Sequence, residues 1–510
     1  MTKLKKNIDK GIAYLKRNGV RAAAVRLYRK VCLSREIDYE KWLKDRRKKR
    51  AKLLPTVNAD HIKIIVSGRL PEQINTEDYF LFIEKGDELE QDACQVYACA
   101  LREHPGAELF YCDSDELTVD GKHYENPSCK PDFDEYYFQS TDYIGGGFLV
   151  SGRIVKELGA PGFLYDYLWR CIERTGGAVH VPEILYHRHQ PGITVGSAVS
   201  ALRMHFERTD ISATISQGMT PGTRKTTYDY EGEKVPLVSV LIPNKDHRED
   251  LEKCIDSIRR FAGYEPYEIL VIENNSTSDE IRSFYEDLQE RETNVRVVTY
   301  KGDFNFSKIN NFGAKEARGE YLLLLNNDTE MISEGCIAEL MNYARRPDVG
   351  AVGAQMFYGD DTIQHAGVIV GYGGVAGHAF EGMTRQQAGR TLPIVCARAY
   401  SAVTAACMMV RRSVFEELGG FDEKLGVAYN DIDFCLRAGR SGKKVIYTPY
   451  AQLYHYESRT RGLELTKEKA ERVRRETEIF QKRWSTLLRK GDPCYNPNLT
   501  LEKPDFSLRI

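Results

Sequence analysis

Between residues 236 and 280 the chain reads PLVSVLIPNKD, then REDLEKCIDSIRRFA, then YEILVIENNSTSDE. The first and third blocks are apolar runs that end in polar loop residues, and the block between them spaces its apolar residues as a helix does. Strand, helix, strand at this spacing is a βαβ unit. Its two strands lie parallel, because the crossover returns the chain to the same end of the sheet. The pattern predicts an α/β protein on a mainly parallel sheet, and ligands of such sheets bind beyond the C-terminal ends of the strands.

At one domain per roughly 150 residues, a chain of 510 residues predicts two to four domains. No stretch approaches the roughly 18 continuous apolar residues of a membrane-spanning helix. The start, MTKLKKNIDKGIAYLKRNG, is basic but lacks the apolar run and cleavage site of a signal peptide. The 12 Cys are scattered with no CxxC pair, which fits reduced thiols of a cytoplasmic protein rather than disulfides or a zinc site. Charge is distributed unevenly. Residues 1–53 hold 19 Lys+Arg and 5 Asp+Glu, while the whole chain holds 72 and 74. A basic helical arm on an acidic body, with Ile8, Ile12, Leu15, Val25, Tyr28 and Val31 at helix-like spacing, suits contact with an anionic membrane surface. A solvated helix packed on the protein is the alternative. Nucleic acid is disfavoured, since nothing downstream resembles a nucleic-acid fold.

Three blocks occur twice in the same order. DYFLFIEKGDEL (78–89) parallels EYLLLLNNDTEM (320–331). GGGFLVSGRIVKELGAPG (145–162) parallels ACMMVRRSVFEELGGFDE (406–423), and VPEILYHRH (181–189) parallels TPYAQLYHYES (448–458). This argues for a duplicated unit. The expected organisation is a basic arm at 1–53, a first copy at 54–195, a helix and polar linker at 196–235, a second copy at 236–464 and a helical tail at 465–510. Only about two dozen residues precede the first block in the first copy, so that copy lacks most of the leading βαβ part.

Four polar sets follow strands of the second copy: Asn244 to Asp246, Glu273 to Asn275, Asn326 to Asp328, and Asn430 to Asp433. One such set is ordinary loop composition; four on one sheet point to a site. With FNFSKINNFGAKEARGEYLLLLNNDTE, DTIQHAGVIVG, YNDIDFCLR and TPYAQLYHYESRTRG, the segment 236–464 resembles family 2 glycosyltransferases of the Rossmann-like GT-A fold. Among these it resembles the bacterial enzymes of O-antigen and rhamnose-rich polysaccharide synthesis.

The resemblance implies donor-nucleotide contacts at Asn244, Asp246, Glu273, Asn275, Asn311 and Asn326. It implies a metal site at Asp328 and His455 that holds Mg²⁺ or Mn²⁺ against the donor diphosphate, with Arg459 and Arg461 on the phosphates. Asn326 stands where the family commonly has the first Asp of a DxD string, and Glu273 replaces a commoner Asp. Asp431 aligns with the catalytic base. His365 falls on the acceptor side, and Asp433 either contacts acceptor or caps its helix. The implied activity is an inverting transfer from a nucleotide-sugar to a growing, lipid-linked glycan. The rivals are a non-catalytic scaffold in a polysaccharide assembly complex and a nucleotidyltransferase. GYGGVAG (371–377) lacks the βαβ context of a dinucleotide loop and reads as a turn.

The first copy reads as a truncated, degenerate GT-A-like domain without catalysis. Aligning the first pair of blocks without a gap sets Gly86 opposite Asp328, and LYDYLWRCIE against NDIDFCLRAG sets Leu164 opposite Asn430 or Asp431 depending on one gap, which when present sets Asp166 opposite Asp433. Asp113-Ser114-Asp115 is a DxD string away from the metal position. The copy is expected either to buttress its neighbour or to orient acceptor.

Overall fold

The computed structural model describes residues 37–189, 195–456 and 467–509. Two sheets carry the chain. The second has ten strands. Its front is parallel: Val295–Thr299, Tyr267–Glu273, Val238–Asn244 and Tyr321–Leu325 lie side by side in that order. Strand 321–325, Tyr-Leu-Leu-Leu-Leu, is buried at every position, as a strand covered on both faces must be. Helix Arg248–Phe261 lays Leu251, Cys254, Ile255 and Ile258 onto the sheet, the i, i+3, i+4, i+7 stripe read from sequence.

Beyond strand 321–325 the directions alternate. Cys407–Arg411 runs antiparallel to it and to Val349–Phe357, the latter runs parallel to Lys444–His455, and Thr329–Met331 closes the edge antiparallel. The sheet is therefore mixed rather than mainly parallel. Two strands reach their neighbours from loops on the opposite side, without a helical crossover, and that reverses their direction.

The first sheet repeats this order. Ile62–Val66 pairs parallel with Tyr79–Ile83, which is followed by Phe148–Ser151, Leu109–Leu117, Val179–Arg188 and Glu88–Leu89, with the same succession of directions. Among the described residues Ile62–Val66 is the edge strand of its sheet, where strands 267–273 and 295–299 flank its counterpart, and Ile64 and Val66 are exposed.

The region expected to be a linker is more ordered than its composition suggests. Helix Val195–Arg208 stops at Arg208, and Ala213–Gln217 pairs with Arg224–Tyr228 as a hairpin. The strands carry Thr214, Ile215, Thr226 and Thr227, and β-branched residues pack well on a pleated surface. Asn342 ties the hairpin to the second unit, donating to Thr226 O and accepting from Tyr228 N. The tail forms helices Lys467–Arg483 and Ser485–Lys490. The described part of the arm, helix Tyr39–Leu53, lies on the first sheet; residues 1–36 lie outside the described residues. All eleven cysteines among the described residues are free thiols, and no helix among these residues is long and apolar enough to cross a membrane.

Candidate active site

The strand ends of the second sheet bring four of the polar sets together. Asn327 donates from Nδ2 to Asn244 Oδ1 (2.6 Å), Asn244 donates to the Tyr285 hydroxyl (2.7 Å), and that hydroxyl donates to Glu273 (3.3 Å). Glu273 also accepts from Ser276 N (2.7 Å) and from the Ser276 hydroxyl. Its side chain thus braces the 274–278 loop. Asp246 and Asn275 take left-handed backbone angles, φ 54° and 57°, a conformation Asn and Asp tolerate best among non-glycine residues. Burial alone would push the Asp246 carboxyl up. The N–H groups of Ser278 and Thr277 and the Thr277 hydroxyl outweigh that and hold it below the usual carboxylate range. Asn275 donates to Gly302 O (2.8 Å) and stays exposed.

The second cluster lies one strand away. Asp328 and His455 are 6% and 7% exposed, with Asp328 Oδ1 3.2 Å from His455 Nε2. Gln364 grips the histidine twice: its Nε2 donates to His455 O (3.3 Å), which leaves its Oε1 facing Nδ1 at 2.6 Å. That grip fixes the plane of the ring, so that Nε2 faces Asp328 and the Asn326 amide (3.2 Å). A carboxylate and an imidazole nitrogen facing each other are two donors suited to one divalent cation, with the outer nitrogen held as metal-bound histidines require. No set of three or more His, Cys, Asp or Glu side chains converges among the described residues, so diphosphate and water oxygens would complete the coordination.

Asp431 opens helix Asn430–Arg440, where the positive end of the helix dipole favours an anion. It is half-buried and accepts from Ala405 N (3.0 Å). The next residue on that loop, Ala406, accepts from Asn326 N (3.0 Å). Residues 405–406 thus join the carboxylate to the Asn326–His455–Asp328 cluster.

Three sequence expectations need correction. Asp433 is fully buried and accepts from Arg437, Arg483 and the Trp484 indole (2.8–2.9 Å). It anchors the tail to the Asp431 helix and offers nothing to an acceptor. Asn311 closes both ends of its amide on the backbone of Phe421 (2.9 Å each), so it is spent on packing and does not face a nucleotide. Gly420 permits that approach, since a Cβ there would stand 2.5 Å from Asn311 Oδ1. His365 is fully buried against His378, ring centres 4.8 Å apart, and neither of its ring nitrogens has a hydrogen-bond partner among the described residues. Burial, with His378 and His455 nearby, pushes its pKa well below the ordinary histidine value, and it lines core rather than an open acceptor surface. Arg459 and Arg461 lie outside the described residues. Gln364, Tyr285 and Ala405 carry no sequence signal of their own; each matters only for what it touches.

Residues 239–419 match the family described as Glycosyl transferase family 2. On that match the second unit is a family 2 glycosyltransferase domain. Among curated relatives the chain is 36% identical over 451 residues to the uncharacterized protein y4gI of Sinorhizobium fredii, covering 84% of this chain and 49% of that one. It is 34% identical over 453 residues to the O-antigen biosynthesis protein RfbC of Myxococcus xanthus, covering 85% and 34%. The chain thus spans half or less of the length of these relatives. Among solved structures it is similar to the mannosyltransferase PcManGT from Pyrobaculum calidifontis in complex with GDP-Man and Mn²⁺, at 17% identity and a TM-score of 0.37 over 59% of this chain and 77% of that one.

Proposed function

We propose that the protein is an inverting glycosyltransferase that moves a sugar from a nucleotide-sugar to a growing, lipid-linked cell-surface glycan, in the cytoplasm. The observation that carries this reading is the junction at residues 405–406. There Asp431 and the Asp328–His455 pair stand on one continuous hydrogen-bonded edge. Inversion at an anomeric carbon needs a base on the face opposite the leaving group, and Asp431 is the half-buried carboxylate beside the pair, oriented by the N–H groups of Ala405 and Ile432. In this reading Asn244, Asp246, Glu273 and Asn275 shape the loops around the nucleotide, Asp431 accepts the proton of the acceptor hydroxyl, and Asn326 and Gln364 hold His455 in register. Mg²⁺ or Mn²⁺ held by Asp328 and His455 would offset charge on the departing diphosphate.

The test is a panel of nucleotide-sugars with Mg²⁺ or Mn²⁺, assayed for free nucleoside diphosphate. Donor-dependent diphosphate release supports transfer. Pyrophosphate release would support a nucleotidyltransferase, and silence with every donor a scaffold. Full activity in excess chelator would overturn the metal assignment. O-antigen biosynthesis, the printed role of RfbC, supports a polysaccharide as acceptor. The anionic membrane surface is proposed for the basic arm, residues 1–36 in particular, because the three arginines of helix 39–53 are taken by the first sheet, Arg46 by Glu183, Arg47 by Glu90, and Arg50 by Glu90, Asp92 and Glu183, and of its basic residues only the lysines stay exposed. Vesicle binding that resists both high salt and deletion of residues 1–36 would overturn it.

A further inference from the structure

Helix 467–483 lies beyond the matched segment 239–419, yet it touches the segment that leads into Asp431. Glu476 is 3% exposed and accepts from two backbone groups of that segment, Gly426 N (3.1 Å, on Oε1) and Ala428 N (2.7 Å, on Oε2). One turn further along, Phe480 packs on Tyr429 with ring centres 5.1 Å apart. Tyr429 needs such support. Its φ is 62°, and a bulky non-glycine residue stays in that region only where its surroundings over-determine it. From the other side, Phe306 N donates to Gly426 O (2.7 Å), the Ser307 hydroxyl to Leu425 O (2.5 Å), and Asn430 Nδ2 to the Ser307 hydroxyl (3.2 Å). The 425–430 segment is held as in a vice, one jaw from the domain and one from the tail.

We infer that Glu476 is a positioning residue for Asp431: by binding the N–H groups of Gly426 and Ala428 it keeps Tyr429 left-handed and so sets the first turn of the Asp431 helix. A carboxylate is required for this job. Both oxygens accept, one from each N–H, whereas the amide of glutamine would turn a donor towards a donor. Without the clamp Tyr429 relaxes to an ordinary φ, and the helix start that aims Asp431 at Ala405 N turns with it. The inference rests on the reading of Asp431 as base.

The experiment is a double-mutant cycle of Glu476→Gln and Asp431→Asn, read by donor turnover and, separately, by calorimetric binding of a nucleoside diphosphate with Mn²⁺. Glu476→Gln is expected to lower kcat about tenfold in the wild-type background, with diphosphate affinity and binding stoichiometry unchanged within twofold. In the Asp431→Asn background it is expected to cost less than twofold, because no base remains to be aimed. Equal losses in the two backgrounds, no loss in either, or a parallel loss of diphosphate binding would overturn it, since a merely structural role produces one of these. If Glu476→Gln does not fold, Glu476→Asp keeps both acceptors at shorter reach and is expected to show the same non-additivity at smaller size. Normal turnover of Asp431→Asn alone would remove the base reading itself, whereas a loss in Asp431→Asn with no effect of Glu476 removes only the clamp.

Discussion

The two sheets share six strands in the same order and directions, yet their histidine corners have opposite fates. In the second sheet His455 turns its Nε2 towards Asp328 and Asn326. In the first sheet His187 holds the same register: it faces Glu88 as His455 faces Thr329. There its nitrogens are consumed by Asp115 (2.5 Å) and Glu90 (3.0 Å). Glu90 is taken in turn by Arg47 and Arg50, and Asp115 by the Tyr39 hydroxyl (2.5 Å). Helix 39–53 thus supplies fixed guanidinium groups at the corner where the second sheet sets Asp328 beside His455. The pairing register also corrects the ungapped alignment. The residue just before the edge strand is Asp87 in the first sheet and Asp328 in the second, so Asp87, not Gly86, stands opposite Asp328. It is occupied as well, accepting from His189 N (2.8 Å) and the Tyr186 hydroxyl. Such a corner can be closed without the loss of any acidic residue. It closes when each acid acquires an internal partner.

The largest effect expected from disturbing this comparison is on stability. Arg50 is buried between Glu90, Asp92 and Glu183, and removing one partner of a buried pair costs about 3–5 kcal/mol. Arg50→Met is expected to lower the first unit's melting transition by that amount while turnover persists in the folded protein. An unchanged melt would show that the helix is an ornament on the sheet.

Next in size is the chemistry. Asp431→Asn is expected to reduce transfer by at least about 10²-fold, the scale of general-base catalysis, with nucleotide binding retained. Asp166→Asn in the first unit is expected to leave turnover within about twofold, because Asp166 is a surface partner of Arg208. Equal losses in the two variants would mean that both sheets are enzymes.

A third effect is pH-dependent. Burial lowers the His187 pKa, but its bonds to Asp115 and Glu90 outweigh that and raise it to about 8 from 6.5. A raised histidine contributes stability that is fully present below pH 6.5 and is lost as pH rises through 8. The difference is on the order of 2 kcal/mol. Urea melts at pH 6 and pH 9 should therefore converge for His187→Gln and diverge for the wild type. Glu90 contributes in the opposite window: its pKa is about 2 rather than 4.5, held down by His187 and Arg47 against the pull of burial, so its share is present above pH 4.5 and lost as pH falls towards 2. The smallest effect is expected at Asp87. Asp87→Asn should leave metal-dependent nucleotide binding unchanged within error, whereas Asp328→Ala should weaken it at least tenfold. A comparable loss from Asp87→Asn would mean that the first corner binds metal too.

The remaining string in the first unit has a structural occupation. Asp113 is fully buried and is bound by Lys130 N, His180, Asn496 and Asn498, so it stitches the chain's C-terminal segment onto the first sheet. The first and second units meet in the same manner. Asp134 accepts from Ala399 N (2.7 Å), Ser140 donates to Ala397 O (3.0 Å) and Tyr136 donates to Asp348 (2.9 Å). These contacts join the first unit to the second through polar groups of both.

The βαβ signal, the duplication and the missing front strands were all legible in the sequence, because each rests on local periodicity or on repetition. Apolar runs and helical stripes are set by near neighbours along the chain. The polar sets at the strand ends were legible for the same reason: a strand's end is a local event, and topology alone carries its loop to the binding edge. What each polar residue does there is not local. Asp431 and Asp433 are two residues apart on one helix, yet one looks towards Ala405 and the other is sealed beneath Arg483 and Trp484. Asn326 and Asn311 are both asparagines of the same segment, but only Phe421, more than a hundred residues away, absorbs the second. Glu476 reads as one charge among many in a helical tail until Gly426 and Ala428 arrive at it. Tertiary structure alone decided which acids keep an open face. A buried polar group must find its partners wherever the fold brings them, and sequence spacing does not say from which distant strand or helix a partner will come.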